Sequence, residues 1–108
     1  MSAPTLNENA MDDLTATRLC AEAMGYTVHR YHPEQLPLRV RMALGGLIFD
    51  PASYNPLHDD AQAMALVKRF PSECTDAINK AWLHSRPGEF NINRAVAYCV
   101  ARMQEVKS

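Results

Sequence analysis

The chain has 108 residues and a formal net charge of −1, from 11 lysines and arginines against 12 aspartates and glutamates. Hydrophobic residues make up 47% and charged residues 21%, a balance typical of a single globular domain and too apolar for a disordered chain. This charge gives no support for non-specific nucleic-acid binding, which needs a basic surface, although a local basic patch remains compatible with it.

The first nine residues carry Pro4 and several polar side chains without periodicity. We predict a flexible tail over residues 1–9 and a single domain over residues 10–108. Residues 11–24 then carry apolar side chains at helical spacing, which predicts the first helix. These side chains are Ala16, Leu19, Cys20, Ala23 and Met24. Gly25 follows, where helices often end in a left-handed residue. The candidate N-caps are Asn9, Asp12 and Asp13.

The next segments carry strand signals. Residues 26–31 alternate and are rich in β-branched and aromatic side chains, which predicts a strand. Pro33 and Pro37 bound a loop, and residues 38–42 then alternate apolar and basic side chains. That alternation is typical of a half-buried strand with Arg39 and Arg41 on its exposed face.

A glycine pair, Gly45 and Gly46, predicts a turn or bulge after this strand. Residues 47–49 then predict a short buried strand. The dipeptide Asp50-Pro51 is expected to end it.

The strongest local pattern lies in residues 54–70, where a turn, a helix cap and an amphipathic helix follow one another. Asp59 and Asp60 precede Gln62 in an order close to a capping box, and their charges suit the positive end of a helix dipole. Ala63, Leu66, Val67 and Phe70 then recur at helical spacing. Pro71 is expected to end this helix.

Residues 73–85 allow two interpretations. Apolar side chains from Cys74 to Trp82 fit helical spacing, which favours a helix over residues 73–84. Residues 81–84 could equally form a short buried strand before a turn at residues 86–88.

The last element is predicted to be a surface helix over residues 91–106, with one buried side and a cap at Asn91 or Asn93. Its apolar stripe comprises Ile92, Ala95, Val96, Cys99, Val100, Met103 and Val106.

The cysteines are odd in number, the first ten residues are polar, and no run approaches the ~18 apolar residues of a membrane span. We therefore expect a cytoplasmic protein with reduced thiols and no membrane partner. Cys20, Cys74 and Cys99 all lie in apolar periodic patterns, which favours structural roles over nucleophilic ones.

Two groups invite a metal hypothesis. His58, Asp59 and Asp60 offer an imidazole and two carboxylates, but helix capping explains both their types and their positions. His29 and His32 have a metal-like spacing, but residues three apart on an extended segment point to opposite faces. With no phosphate loop, nucleophile elbow or zinc pattern, we assign no catalytic, metal or cofactor residue.

Basic side chains provide the candidate binding surface, for a phosphate group or an acidic protein. Its members are Arg30, Arg39, Arg41, Lys68 and Arg69. A solvated strand face is the alternative interpretation for the strand arginines.

Three blocks resemble small bacteriophage and prophage proteins of the phage ABA-sandwich domain family. They are AEAMGY at residues 21–26, YNPLHDD at residues 54–60 and NRA at residues 93–95. The resemblance implies an α+β fold, with a small, mainly antiparallel sheet and helices packed in an α/β/α layered sandwich. It also implies a strand over residues 77–85, which we adopt against the periodicity. It supplies no catalytic residues.

We therefore expect a small non-enzymatic phage or prophage accessory protein that binds a host or phage protein, with inhibition of a host defence system as a candidate role. A nucleic-acid or nucleotide-binding module using the five cations is one alternative. A metal-dependent enzyme around His58 is another. The apolar side of the last helix would serve a homodimer as well as a core.

Overall fold

The computed structural model describes residues 11–29, 36–44 and 46–107. In chain order its elements are α1 (Asp13–Ala23), β1 (Thr27–His29), β2 (Leu38–Leu44), β3 (Leu47–Tyr54), α2 (Asp60–Arg69), α3 (Pro71–His84) and α4 (Ile92–Lys107). The predicted α+β class is confirmed, with a small antiparallel sheet and helices packed against it. The predicted tail, Arg30, His32 and most of the predicted loop lie outside the described residues.

The first helix forms as predicted, because both of its ends carry the expected signals. The Asp12 carboxylate caps its start by accepting the Thr15 N–H at 2.7 Å. Gly25 ends it with φ +81°, which brings the Tyr26 N–H to the Ala21 carbonyl at 2.9 Å. This turn connects the end of α1 directly to β1.

The sheet has the order β1-β2-β3, with both neighbouring pairs antiparallel. In β2, Leu38 and Val40 are buried while Arg39 and Arg41 are exposed, so the predicted half-buried strand is confirmed. The buried face packs into the core with side chains from the helices. On the opposite face, exposed Thr27 and Ser53 flank the two arginines.

The third strand differs from its prediction. It does not end at residues 50 and 51 but continues to Tyr54, and Leu47 and Ile48 at its start are 65% and 68% exposed. The pairing of β2 with β3 shifts between Val40 and Met42, where two residues of β3 lie opposite one of β2. A bulge of this kind accommodates Pro51, which has no N–H for the ladder.

The segment after Pro71 is a helix, and the strand implied by the family resemblance over residues 77–85 is wrong. Pro71 ends α2 and also begins α3, since proline suits the first turn of a helix. Ala77, Lys80 and Ala81 are good helix formers. The helix buries Cys74 and half-buries Ile78, so the apolar spacing was the better guide.

The core joins the inner face of the sheet to all four helices. Its largest fully buried side chains include Val40, Tyr54, Leu66, Val96 and Val100.

The buried face of α4 is rotated from the predicted stripe. Ile92 and Val106 are 45% and 86% exposed, whereas Ala97 and Ala101 are fully buried. The small alanines let α1 come close, and the Cys20 thiol donates to the Ala97 carbonyl at 3.1 Å.

Candidate functional site

The structure places the predicted basic surface in two groups. Arg39 and Arg41 are exposed on the outer face of the sheet. Lys68 and Arg69 are exposed in the last turn of α2, a helix whose Leu66 packs into the core beneath the inner face. The two arginines of β2 and the two cations of α2 therefore lie on opposite sides of the sheet.

The two acidic residues at the start of α2 make structural contacts. The Asp59 carboxylate accepts the Gln62 N–H at 3.0 Å, which confirms the predicted cap. Asp60 accepts a hydrogen bond of 2.8 Å from the Asn93 amide of α4. Within residues 11–29, 36–44 and 46–107, no three side chains of His, Cys, Asp or Glu form a group that could hold a metal ion.

The cysteines are protonated thiols at neutral pH. Burial raises the pKa of Cys20 to about 12 and that of Cys74 to about 11, and it also raises the pKa of Cys99. Each thiol donates to a backbone carbonyl: Cys20 to Ala97, Cys74 to Leu66 and Cys99 to Glu73. A thiol that keeps its proton is a poor nucleophile, so these contacts fit structural roles.

A polar cluster joins the start of α1 to α4. Arg94 forms an ion pair of 3.0 Å with Asp13, and its guanidinium lies 4.6 Å from the centre of the Tyr98 ring. The Tyr98 hydroxyl hydrogen bonds with the Asp13 carboxylate and lies 3.1 Å from the Met11 carbonyl. Burial, followed by the bond to Asp13, raises the pKa of Tyr98 to about 12.

Beside this cluster, an open groove of about 920 Å³ runs between α3 and α4. Small side chains such as Ala77, Ala81 and Ala95 line it, with charged residues of both signs around them.

One end of α3 exposes large apolar side chains. Trp82 is 67% exposed and Leu83 is 75% exposed. The ring of Phe90 packs edge-to-face on Trp82, with 5.4 Å between ring centroids. We call Trp82, Leu83 and Phe90 the Trp82 surface. The spacing analysis assigned Trp82 to the buried stripe. Earlier residues of that stripe, Cys74 and Ile78, do pack towards the core, so the spacing did not distinguish the exposed end of the helix.

A smaller pocket of about 250 Å³ lies where the sheet meets the start of α2, and the sequence analysis did not identify it. Tyr26 and Tyr54 line it, with 5.4 Å between ring centroids and 85° between ring planes. Burial raises the pKa of both tyrosines. The Tyr54 hydroxyl is buried and has no hydrogen-bond partner within the described part of the chain.

Comparison with known proteins gives no match: neither a family model, nor a curated protein, nor a solved structure matches the chain. The resemblance to the phage ABA-sandwich family therefore stays a prediction. No helix among the described residues is long and apolar enough to cross a membrane.

Proposed function

We propose that the chain is a small, non-enzymatic phage or prophage accessory protein that acts in the cytoplasm of a bacterial host. It binds another protein through the Trp82 surface, and a component of a host defence system is the candidate target. The phage origin rests on the three sequence blocks. The binding activity rests on one observation, the exposure of Trp82 and Leu83 side by side at the end of α3.

The Trp82 surface has the chemistry of a protein contact. Tryptophan is enriched among the residues that contribute most to protein–protein binding, because burial of its large apolar surface releases a large favourable free energy. Phe90 holds the Trp82 ring edge-to-face, which reduces the ordering required on binding. Exposed Lys80, Arg86 and Glu89 flank these residues in sequence and supply polar groups for a rim.

The proposed non-enzymatic role is supported by the structural contacts of the cysteines and of two aspartates. The cysteine thiols hold their protons, and the carboxylates of Asp59 and Asp60 are occupied by a helix cap and an interhelix bond. These groups are used by the fold in ways that do not require catalysis.

The test compares two doubly substituted proteins in affinity capture from a bacterial lysate. Trp82→Ser with Leu83→Ser removes two exposed apolar side chains from the Trp82 surface. Leu47→Ser with Ile48→Ser removes two apolar side chains of similar fractional exposure from the β2–β3 hairpin. We expect the first pair of substitutions to abolish retention of a partner that the wild type and the second pair retain.

The same proteins test the candidate role when they are expressed in bacteria that carry a defence system. Wild type and the hairpin variant should raise phage plating efficiency, and the Trp82-surface variant should not. Retention that is unchanged in the Trp82-surface variant would overturn the assignment of the surface. Turnover of a nucleotide or an ester by the purified protein would overturn the non-enzymatic role.

A second candidate function, nucleic-acid binding, is favoured by the exposure of Arg39 and Arg41 on one face of β2. Two cations on an open sheet face can contact neighbouring phosphates. Binding of this kind would weaken as salt rises, and Arg39→Ala with Arg41→Ala would remove it. The absence of a mobility shift at low salt would exclude it.

A further inference from the structure

The outer edge of β3 is open at the hairpin end of the sheet. The strand order β1-β2-β3 places β3 at an edge, and no strand of the described chain pairs with its outer side. The side chain of Gln62 closes this edge only at Ser53 and Asn55. The first half of the strand, residues 47–50, lies beyond that contact, so a further strand has access to it.

The hairpin geometry shows which backbone groups this edge presents. Leu44 and Leu47 pair across a two-residue connection, and residues in that position exchange hydrogen bonds. Because the ladder alternates, the N–H and C=O of Ile48 point away from β2. The bulge adds one residue and shifts the outward positions from even to odd numbers. The contacts of Gln62 with Ser53 and Asn55 agree with that shift.

The open part of the edge is apolar and uncharged. Leu47 and Ile48 are 65% and 68% exposed, and as neighbours on a strand they lie on opposite faces. Residues 42–49, which form most of the hairpin, carry no charged side chain. Edge strands of monomeric proteins commonly carry charges that repel a further strand. A charge near a two-fold axis would also face its own copy, and here none would do so.

We propose that β3 pairs antiparallel with β3 of a second copy of this chain, which joins the two sheets into one. In this register Ile48 lies opposite Ile48 of the second copy, and the two residues exchange their N–H···O bonds. Leu47 then lies opposite Phe49 of the second copy. The register is favoured because it places apolar residues opposite each other on both faces of the sheet.

A hairpin fits the length of edge that is open better than a long peptide strand does. With Ile48 opposite its copy, residues 45 and 46 of the second chain lie opposite residues 51 and 50 of the first. The second chain turns back there, before it reaches Ser53 and the amide of Gln62. A longer strand that continued along β3 would meet that amide. The contact is short compared with permanent dimer interfaces, so we expect reversible association.

The test measures association and backbone protection of the full-length protein together. Analytical ultracentrifugation at concentrations up to about 1 mM should show a reversible monomer–dimer equilibrium. Amide exchange followed by NMR should slow at Ile48 as the concentration rises. The Phe49 amide, which points to β2, should be protected at every concentration. A protein that stays monomeric, or a dimer in which exchange at Ile48 does not depend on concentration, would overturn the proposal.

Substitutions at the two-fold axis separate backbone pairing from side-chain contact. Ile48→Pro removes the outward N–H without removing a bond to β2, and we expect loss of the dimer. Ile48→Thr keeps the N–H and the β-branched shape, so it should still dimerise. Ile48→Lys places like charges opposite each other, and its weakened dimer should recover as salt is added. Wild-type association in folded Ile48→Pro or in Ile48→Lys would contradict the pairing.

This contact is separate from the Trp82 surface, so it does not depend on the proposed function. The protein with Trp82→Ser and Leu83→Ser should therefore dimerise as the wild type does. Loss of the dimer in that variant would overturn the proposal and assign self-association to the Trp82 surface.

Discussion

At the scale of single residues, Gln62 closes part of the open edge of β3. Its Oε1 accepts the Asn55 N–H at 2.6 Å, and its Nε2 donates to the Ser53 carbonyl at 2.9 Å. The carbonyl of one strand residue and the N–H two residues later face the same side, so the side-chain amide takes the place of a peptide group from a further strand. This contact ties α2 to the sheet and occupies an edge that would otherwise invite another strand.

Replacement of Gln62 by leucine should therefore destabilise the fold. The change leaves the Ser53 carbonyl and the Asn55 N–H without this partner, and we expect the free energy of unfolding to fall by about 1–3 kcal/mol. Gln62→Glu keeps the acceptor for Asn55 and loses the donor to Ser53, so it should lie between leucine and wild type. Urea denaturation measures the free energy of unfolding of all three proteins. Equal values for Gln62→Leu and wild type would contradict this role of Gln62.

Tyr98 should contribute a part of the protein's folding stability that is lost at alkaline pH. Burial and the bond to Asp13 raise its pKa from 10 to about 12 in the folded chain. The folded state therefore holds the phenol proton more tightly, and this contribution is complete below pH 10 and lost as the pH rises towards about 12. Tyr98→Phe lacks the contribution at every pH. The difference in stability between wild type and Tyr98→Phe should thus narrow between pH 10 and about pH 12. A constant difference in denaturation midpoints would refute the prediction.

The role of a residue could be predicted from the sequence where its partner or its orientation is set by residues nearby in the chain. Asp59 was identified as a cap because its partner lies three residues away, and Arg39 and Arg41 were placed on one face because strand side chains alternate. The reach of Gln62 to β3 was not predictable, since it requires the position of α2 against the sheet. The tyrosine pocket was missed for the same reason: its rings come from segments 28 residues apart in the chain.

At the scale of elements, the junction of α1 and β1 depends on Gly25. Its φ of +81° is unfavourable for a residue with a Cβ atom, although an added Cβ would meet no heavy atom within 4 Å. The cost of Gly25→Ala is therefore one of backbone conformation, about 1–2 kcal/mol in thermal or urea unfolding. Gly25→Asn should cost less, because asparagine tolerates this conformation better. Equal losses of stability in the two variants would argue against backbone conformation as the cause.

Element types were predictable where periodicity and end signals agreed. This held for α1, α2 and α4, and spacing alone also identified α3, where the family resemblance led to the wrong strand. The length of β3 was not predictable, because Pro51 signals an end in sequence and the bulge that accommodates it depends on pairing with β2.

At the scale of the molecule, the position of the core depends on packing between distant elements. Spacing along α4 identified an amphipathic helix, but the centre of its buried face follows from the approach of α1 to Ala97 and Ala101. Trp82 is exposed for a related reason, since α3 turns Cys74 and Ile78 towards the core and leaves the end of the helix outside. Tertiary packing therefore determines which face of a helix is buried.

A shared core predicts that α2 unfolds together with the rest of the described chain. Leu66 is fully buried in the cluster that joins sheet and helices, while Met64 on the same helix is 50% exposed. Leu66→Ala should therefore lower the free energy of unfolding by about 2–5 kcal/mol. Met64→Ala should change it by only about 0.5 kcal/mol or less. Fluorescence of Trp82, the only tryptophan, reports on α3, and circular dichroism reports on all the helices. Coincident urea transitions by both probes, shifted equally in Leu66→Ala, are expected from one core. Separate transitions would show that α2 or α3 unfolds independently of the sheet.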